Sequence, residues 1–437
     1  MSRYNTGPTL RLTALAVAVA AFCGATAAIQ AAPGAPIGGA VAVTAKGMQA
    51  VVASDAAGDY LVAWASKNFN CFCWNEDSID IVGQRYTAAG VPVGGNFAVA
   101  KDIFSSNKKL ADQKGHPQVS MDAEGDFVAA WDEYDIPGLK QVKVRRFAAG
   151  AVAQGAEILV SGHGAFPSVA MEPDGDFAVA WGTGLAINVP LPYPLGYGDV
   201  TLASTSSIHV RRYHANGLPA TLDVTVDSVT NSILAPKSQK SLTAPQVAVA
   251  PDGSFVVAWQ KVSVGQAAPI LLQRYSAAGA RIGAQIQANS LAGLQAGAPV
   301  LATDGTGEFM VAWQAAPAGA PTQIYVRAFR ADGTPRAAET QISSGVGGSV
   351  PSIAANAAGN YAVSWVGAGS GTLYGPQLRL LHADGSVASP QVSVFAGPPY
   401  SNVPSPVAVD ANGNAVLVNS INTLGGGPVS AQRISAR

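Results

Sequence analysis

Ser254-Phe255-Val256-Val257-Ala258-Trp259 decides the fold, because close copies of this stretch recur along the chain. Five further copies end in tryptophan, and a seventh, residues 414–419, has Asn419 where tryptophan is expected. Successive tryptophans lie 50 to 78 positions apart, so the unit has about 50 residues with two large insertions. A fixed period of this length indicates a repeat architecture. The six tryptophans are Trp64, Trp131, Trp181, Trp259, Trp313 and Trp365.

The second half of each unit is also repetitive. After Trp259 come Gln273-Arg274-Tyr275, a small turn at residues 276–279, and an alternating strand at residues 282–288. Four short strands joined by glycine turns are typical of a propeller blade, which buries its faces only by stacking on neighbouring blades. The sequence therefore predicts an all-β, seven-bladed β-propeller of four-stranded antiparallel blades, with the tryptophans packed between blades. Periodic arginines are expected to make hydrogen bonds between blades; they are Arg85, Arg146, Arg212, Arg274 and Arg433.

The two ends of the chain predict how the ring closes. The last repeat runs out at Gln432-Arg433-Ile434, after only three strands. Residues 37–43 have the pattern of an isolated fourth strand and are similar to residues 281–287. We expect the N-terminal strand to pair with the last repeat, which removes the sheet edges that promote aggregation.

With units of the form Asp-Gly-x-Phe-Val-Val-Ala-Trp, Gln-Arg-Phe and x-Ala-x-Gly, the chain resembles a group of bacterial secreted β-propeller repeat proteins. The resemblance covers residues 37–437 and implies the propeller fold. Its motifs are structural, and it implies no particular activity. The pattern differs from a WD repeat, because only Trp131 is followed by aspartate.

The first residues have the pattern of a signal peptide. Arg3 and Arg11 give a positively charged segment before a short apolar run at residues 12–23, and small residues follow at 25–27. We predict a signal peptide at residues 1–27, a short linker at 28–36 and one propeller domain at 37–437. A lipoprotein anchor at Cys23 is the alternative. The expected location is extracellular or periplasmic, with no transmembrane segment, and the expected state is a monomer.

Charged residues make up only 12% of the chain, and the formal net charge is −1. Nucleic-acid binding needs a basic surface that neutralises phosphates, so we expect no nucleic-acid partner. The chain has 48 glycines and 28 prolines, which suits a fold with many tight turns.

All long insertions are expected on one face of the disc, after the second and fourth strands of the blades. Loops on a rigid scaffold commonly carry binding residues, although simple length variation is the alternative. The insertions are residues 65–78, 101–115, 132–140, 182–206 and 227–242.

These insertions contain aromatic, acidic and histidine side chains that predict a ligand site. Aromatic rings beside carboxylates suit a glycan or protein ligand, and two convergent carboxylates would suit glycoside hydrolysis. The sequence favours a secreted binding or scaffold protein over a carbohydrate-active hydrolase or lyase. A metal held by the two histidines is a further alternative. The candidate residues are Trp74, Glu76, Asp77, His116, Asp132, Glu133, Tyr134, His163, Tyr193 and Tyr197.

Two further features have both a structural and a chemical interpretation. The turns carrying Asp122, Glu124 and Asp126, and Asp174 and Asp176, are weakly similar to calcium loops, but aspartate also suits a tight turn. We expect no cofactor, with calcium as the alternative. Cys71 and Cys73 form a disulfide or stay as two thiols, and a redox or metal role is the alternative.

Overall fold

The computed structural model describes residues 32–68, 78–101, 114–136, 139–190, 199–232, 239–263, 266–290, 294–317, 319–345, 347–368, 374–395, 404–421 and 426–437. The predicted signal peptide, residues 1–27, and residues 28–31 of the predicted linker lie outside this part of the chain. The compact unit is Ala31–Arg437. Within the described ranges, no helix is long and apolar enough to cross a membrane.

The fold is a β-propeller with four-stranded antiparallel blades, as predicted. The first part of the chain forms β1 (Pro36–Ser54), β2 (Tyr60–Asn68), β3 (Ser78–Tyr86), β4 (Pro92–Ala100), β5 (Gly115–Met121), β6 (Phe127–Ile136), β7 (Leu139–Ala148), β8 (Val152–Ala153) and β9 (Ile158–Ser161). The middle forms β10 (Ala165–Met171), β11 (Phe177–Pro190), β12 (Asp199–Tyr213), β13 (Val224–Ser232), β14 (Lys240–Val249), β15 (Phe255–Ser263), β16 (Ile270–Tyr275) and β17 (Arg281–Gln287). The last part forms β18 (Leu294–Thr303), β19 (Phe309–Pro317), β20 (Gln323–Phe329), β21 (Thr340–Gln341), β22 (Gly348–Ala355), β23 (Tyr361–Ala368), β24 (Tyr374–Leu381), β25 (Val392–Ser393), β26 (Val407–Val409), β27 (Ala415–Ser420) and β28 (Gly427–Ile434).

The described strands form five separate blades rather than the predicted seven. Four blades are β10–β13, β14–β17, β18–β21 and β22–β25, and the fifth is β5–β8 with β9 also paired to β7. The remaining strands join in one seven-stranded sheet, in the order β26-β27-β28-β1-β2-β3-β4. The count differs because β1 is a single strand of 19 residues. Its first part pairs with β28 and its last part pairs with β2.

The predicted pairing of the N-terminal strand with the last repeat is present. Ile37 lies opposite Arg433, and the pairing starts one residue earlier than predicted, with Pro36 opposite Ile434. Gln432 Nε2 donates to the Gly38 carbonyl oxygen at 3.4 Å. In the β14–β17 blade, Gln273 Nε2 makes the same bond to Gly283 at 3.4 Å. The N-terminal segment therefore takes the position of a fourth strand beside β28.

The six tryptophans are buried between neighbouring sheets, as predicted. Trp259, for example, packs in a cluster with Ala180 of β11 and Val210 of β12. The periodic arginines have more varied partners than predicted. Arg274 Nη1 donates to the Asp332 carbonyl oxygen in the next blade at 2.6 Å, whereas Arg212 Nε donates to Glu172 of its own blade at 2.6 Å.

The insertion at residues 182–206 is largely an extension of a blade rather than a loop. β11 and β12 stay paired from Gly182 opposite Ile208 to Pro190 opposite Asp199. β13 pairs with the same extension as far as Ser232 opposite Ala203. Threonines and valines in this segment favour strand geometry, which explains why the hairpin continues.

Candidate functional site

Seven inner strands line a central channel with a cavity of about 560 Å³. The strands are β1, β5, β10, β14, β18, β22 and β26. Within the described residues, the lining consists of apolar, hydroxyl, glutamine and proline side chains, with His116 as its one ionisable residue. His116 is the first residue of β5 that lines the channel, and therefore lies at the channel mouth.

A β-bulge occurs in six inner strands, near the start of five of them and, in β1, at the start of the part that pairs with β2. The register of each inner strand shifts at this point, for example between Gly115 and Gln118 in β5. One residue in each bulge has a positive φ although it is not glycine, a conformation that tertiary contacts must hold. Bulges of this kind redirect side chains and are common beside active sites. The six bulge residues are Gln49, His116, Phe166, Ala244, Ala298 and Val350.

Side chains from neighbouring sheets hold these bulges through their backbone N–H groups. The His116 N–H donates to Gln49 Oε1 at 2.9 Å, and the Phe166 N–H donates to Asp132 Oδ2 at 2.9 Å. The Val350 N–H donates to Gln314 Oε1 at 2.8 Å. Asp132 and Gln314 each follow the repeated tryptophan, so this repeat position supplies the acceptor for the bulge N–H of the adjacent sheet.

Asp132 also binds two partly exposed cationic or ionisable side chains. His116 Nδ1 lies 2.8 Å from Asp132 Oδ2, and Lys140 Nζ lies 3.0 Å from Asp132 Oδ1. The Asp132 side chain is fully buried, whereas His116 and Lys140 are 34% and 22% exposed. Burial opposes ionisation of Asp132, but the hydrogen bond and charge of His116, with the bonds from Phe166 and Lys140, lower its pKa below the usual 3.8. Asp132 is therefore an ionised anchor beneath two accessible side chains.

Two exposed aromatic rings lie beside this group. The Phe166 side chain is 56% exposed, and its ring centroid is 4.4 Å from that of His116. Lys140 Nζ lies 5.0 Å from the centroid of Tyr134 and 5.7 Å from that of Phe166. We call His116, Asp132, Tyr134, Lys140 and Phe166 the mouth cluster.

Glu133 forms a second ionic group. Its carboxylate accepts from Trp131 Nε1 at 2.9 Å and pairs with Lys143 and, at 3.5 Å, with the buried Lys114. Burial opposes its ionisation, but the hydrogen bonds from Lys143 and Trp131 and the charge of Lys114 lower the pKa of Glu133 below 4.5. Adjacent residues of a strand point to opposite faces, so Asp132 and Glu133 do not converge on one ligand bond.

The two turns that are weakly similar to calcium loops use their carboxylates in local hydrogen bonds. Asp122 Oδ1 accepts from the N–H groups of Glu124 at 3.1 Å and Asp126 at 2.9 Å. Asp174 Oδ1 accepts from the Asp176 N–H at 3.1 Å. Across the described residues, no group of three or more histidine, cysteine and acidic side chains is arranged to hold a metal ion.

Two further predicted site residues that the structure describes, Glu133 and His163, do not join the mouth cluster. His163 lies in an exposed turn in which its N–H and carbonyl group bind Ser161 Oγ. Five predicted ligand residues and the two candidate disulfide cysteines fall outside the described part of the chain. They are Trp74, Glu76, Asp77, Tyr193, Tyr197, Cys71 and Cys73.

Sequence reasoning missed Lys140 and Phe166, although Lys140 ends a predicted insertion. Phe166 belongs to β10, in the next blade, and approaches Asp132 only when the blades stack. The signal that could have found both is their position in the repeat, because Phe166 aligns with His116 and Lys140 faces Tyr134 across a hairpin.

No protein-family model and no curated protein sequence matches the chain. Among solved structures, similarity extends to an ulvan lyase of polysaccharide lyase family PL25 bound to -[GlcA(1-4)Rha3S]-, with TM-score 0.52 and 9% identity over 91% of this chain and 96% of the lyase. A Dyadobacter fermentans protein of unknown function has TM-score 0.49 and 12% identity, covering 74% of this chain and 95% of its own. A Penicillium chrysogenum alpha-L-arabinanase has TM-score 0.47 and 14% identity, covering 74% and 93%. At 9% identity, the likeness to the lyase establishes the β-propeller fold alone.

Proposed function

We propose that this protein is an exported, seven-bladed β-propeller that binds a glycan at the channel mouth. Export is supported by Arg3, Arg11 and the apolar run at residues 12–23. Seven inner strands around one channel support the blade number, with the seven-stranded sheet acting as two blades that share β1. The alternative is a scaffold protein that binds a protein ligand on the same face, and the test below distinguishes it from glycan binding.

The mouth cluster is the single observation that carries the glycan proposal. Exposed rings of Tyr134 and Phe166 offer surfaces for the C–H faces of sugar rings, and His116 and Lys140 offer donors for hydroxyl or carboxylate groups. Asp132 orients both donors from a buried position, which keeps the site arranged before ligand binds. The ulvan lyase that shares the fold was solved with a glucuronic acid-containing glycan, which supports the ligand class.

Phe166→Ala tests the proposal with little risk to the fold. Alanine occupies the equivalent bulge at Ala244 and Ala298, and the Phe166 N–H bond to Asp132 is retained. The matched control is Leu159→Ala, because Leu159 is 54% exposed but lies on β9, an outer strand. On a panel of neutral, carboxylated and sulfated glycans, we expect Phe166→Ala to weaken binding about tenfold, since an aromatic contact contributes about 1.5 kcal/mol.

The control should bind as the wild type does. If Phe166→Ala binds glycan as strongly as Leu159→Ala does, the mouth cluster is not the glycan-binding site. If no glycan binds the wild-type protein and a cell-envelope protein is captured instead, the glycan assignment itself is wrong.

A carbohydrate-active enzyme is the second candidate, and the His116–Asp132 pair favours it. In the neutral form of His116, a carboxylate at Nδ1 fixes one tautomer and leaves Nε2 as a base, an arrangement used in general base catalysis; in the charged form, Nε2 is a donor. Release of unsaturated or reducing sugar ends from the bound glycan, abolished by His116→Ala, would establish this activity. Binding without any product over long incubation would exclude it for that glycan.

A further inference from the structure

A second cavity lies among β14, β15, β18 and β19. It is an open groove of about 810 Å³, and the described residues that line it include no ionisable side chain. Four of its lining residues are glutamines, and the others are alanine, glycine, valine and serine. We call it the glutamine groove. The four are Gln260, Gln266, Gln295 and Gln314.

The glutamine groove opens at the same end of the inner strands as the mouth cluster. Ala244 and Ala298 line the groove and are the bulge residues of β14 and β18, equivalent to His116 in β5. Beyond these bulges, the same two strands continue into the channel wall at residues 246–249 and 300–303. The groove and the mouth cluster therefore share one face of the propeller.

The glutamines divide into a structural pair and an accessible pair. Gln260 donates to the Ala296 carbonyl oxygen at 2.8 Å, and Gln314 accepts from the Val350 N–H at 2.8 Å. Gln266 and Gln295 are exposed, and among the described residues their side-chain amides make no hydrogen bond. An amide group both donates and accepts, so the accessible pair matches hydroxyl groups in either role.

From these observations we infer that the glutamine groove binds an uncharged, hydroxyl-rich sugar unit of the same glycan that contacts the mouth cluster. The described lining offers no cation to a carboxylate or sulfate, and neutral donors offset the lost hydration of such an anion less well than a cation does. The small alanine and glycine residues let a sugar ring approach the backbone closely. This inference rests on the proposed function and adds that the ligand extends beyond one charged unit.

The experiment combines a length series of ligands with two sets of variants. The probes are an acidic disaccharide containing glucuronic acid and longer oligosaccharides in which neutral sugar units are added to it. The groove variant is Gln266→Ala with Gln295→Ala, which removes exposed amides that no described residue uses. Its matched control is Gln285→Ala, an exposed glutamine on β17, at the outer edge of the blade.

Titration calorimetry should find that wild-type affinity rises about tenfold when the neutral units are added, which corresponds to two net hydrogen bonds. The groove variant should lose that gain while it binds the disaccharide normally, and Phe166→Ala should weaken the disaccharide itself. A gain that survives in the groove variant overturns the inference but leaves the proposed function intact. No binding of any probe by the wild type overturns both.

Discussion

Replacing Trp259 by alanine tests whether the repeated tryptophans hold neighbouring sheets together. The Trp259 side chain is fully buried in a cluster that joins β11 to β16, and its Nε1 donates to Asp227 Oδ2 at 3.1 Å. Truncation of a buried aromatic costs about 3 to 5 kcal/mol, and loss of a hydrogen bond to a carboxylate adds about 1.5 kcal/mol. We therefore expect Trp259→Ala to lower the free energy of unfolding by about 4.5 to 6.5 kcal/mol.

Phenylalanine variants separate the hydrogen bond from the ring. Trp181 occupies the same repeat position and is equally buried, but its Nε1 has no partner among the described residues. Trp259→Phe and Trp181→Phe make the same change in volume, and only the first removes a hydrogen bond. We expect Trp259→Phe to be more destabilising by about 1.5 kcal/mol.

Urea unfolding followed by far-ultraviolet circular dichroism measures these differences without relying on tryptophan fluorescence. Leu222→Ala is the control, because Leu222 is 88% exposed and its truncation should change the free energy of unfolding by less than about 0.5 kcal/mol. A Trp259→Ala protein as stable as this control would refute the packing argument. Equal losses in the two phenylalanine variants would refute the role of the Asp227 bond.

Three further predictions concern closure, acid stability and a buried ion pair. Deleting residues 32–43 exposes the edge of β28, so we expect oligomers or aggregates by light scattering; a cooperative monomer would contradict the closure. Folding lowers the pKa values of Asp132 and Glu133 from 3.8 and 4.5. Both carboxylates therefore stabilise the folded state at a pH above 3.8 and 4.5, and this stabilisation is lost as the pH falls through their folded-state pKa values. The urea midpoint should therefore fall more steeply with acid in the wild type than in Asp132→Asn with Glu133→Gln; parallel curves would contradict this. Arg212→Met leaves the carboxylate of Glu172, whose side chain is 2% exposed, without its bidentate partner. This change should lower the free energy of unfolding by about 3 to 5 kcal/mol, and adding Glu172→Leu should restore most of that loss.

The repeat architecture could be predicted because each strand carries its own local signal. The alternating apolar residues before Trp259 and the glycine turns specify strands and hairpins without reference to distant parts of the chain. The match of residues 37–43 to residues 281–287 also correctly predicted the partner of β28. The number of separate sheets was not predicted, because nothing in residues 44–48 signals that β1 passes unbroken from β28 to β2.

The bulges could not be predicted because their conformation has no local cause. His116, Phe166 and Val350 adopt positive φ values without being glycine, so no residue type marks the position. Instead, the bulge N–H groups donate hydrogen bonds to side chains of neighbouring sheets, as Val350 does to Gln314 Oε1. Only the stacked propeller brings these partners together, and the mouth cluster depends on the same contacts.

The charge of Asp132 is the feature that the fold itself does not require. Gln314, at the same repeat position, accepts from the bulge N–H of Val350 with a neutral amide, as Asp132 accepts from Phe166 with a carboxylate. An uncharged side chain is therefore sufficient to hold a bulge. Burying a carboxylate is costly unless cations and donors offset its lost hydration. In this structure the offset comes from His116 and Lys140, both of which reach the surface at the channel mouth. What the carboxylate adds over an amide is therefore a fixed, accessible pair of polar groups, which the proposed ligand site would use and blade packing does not require.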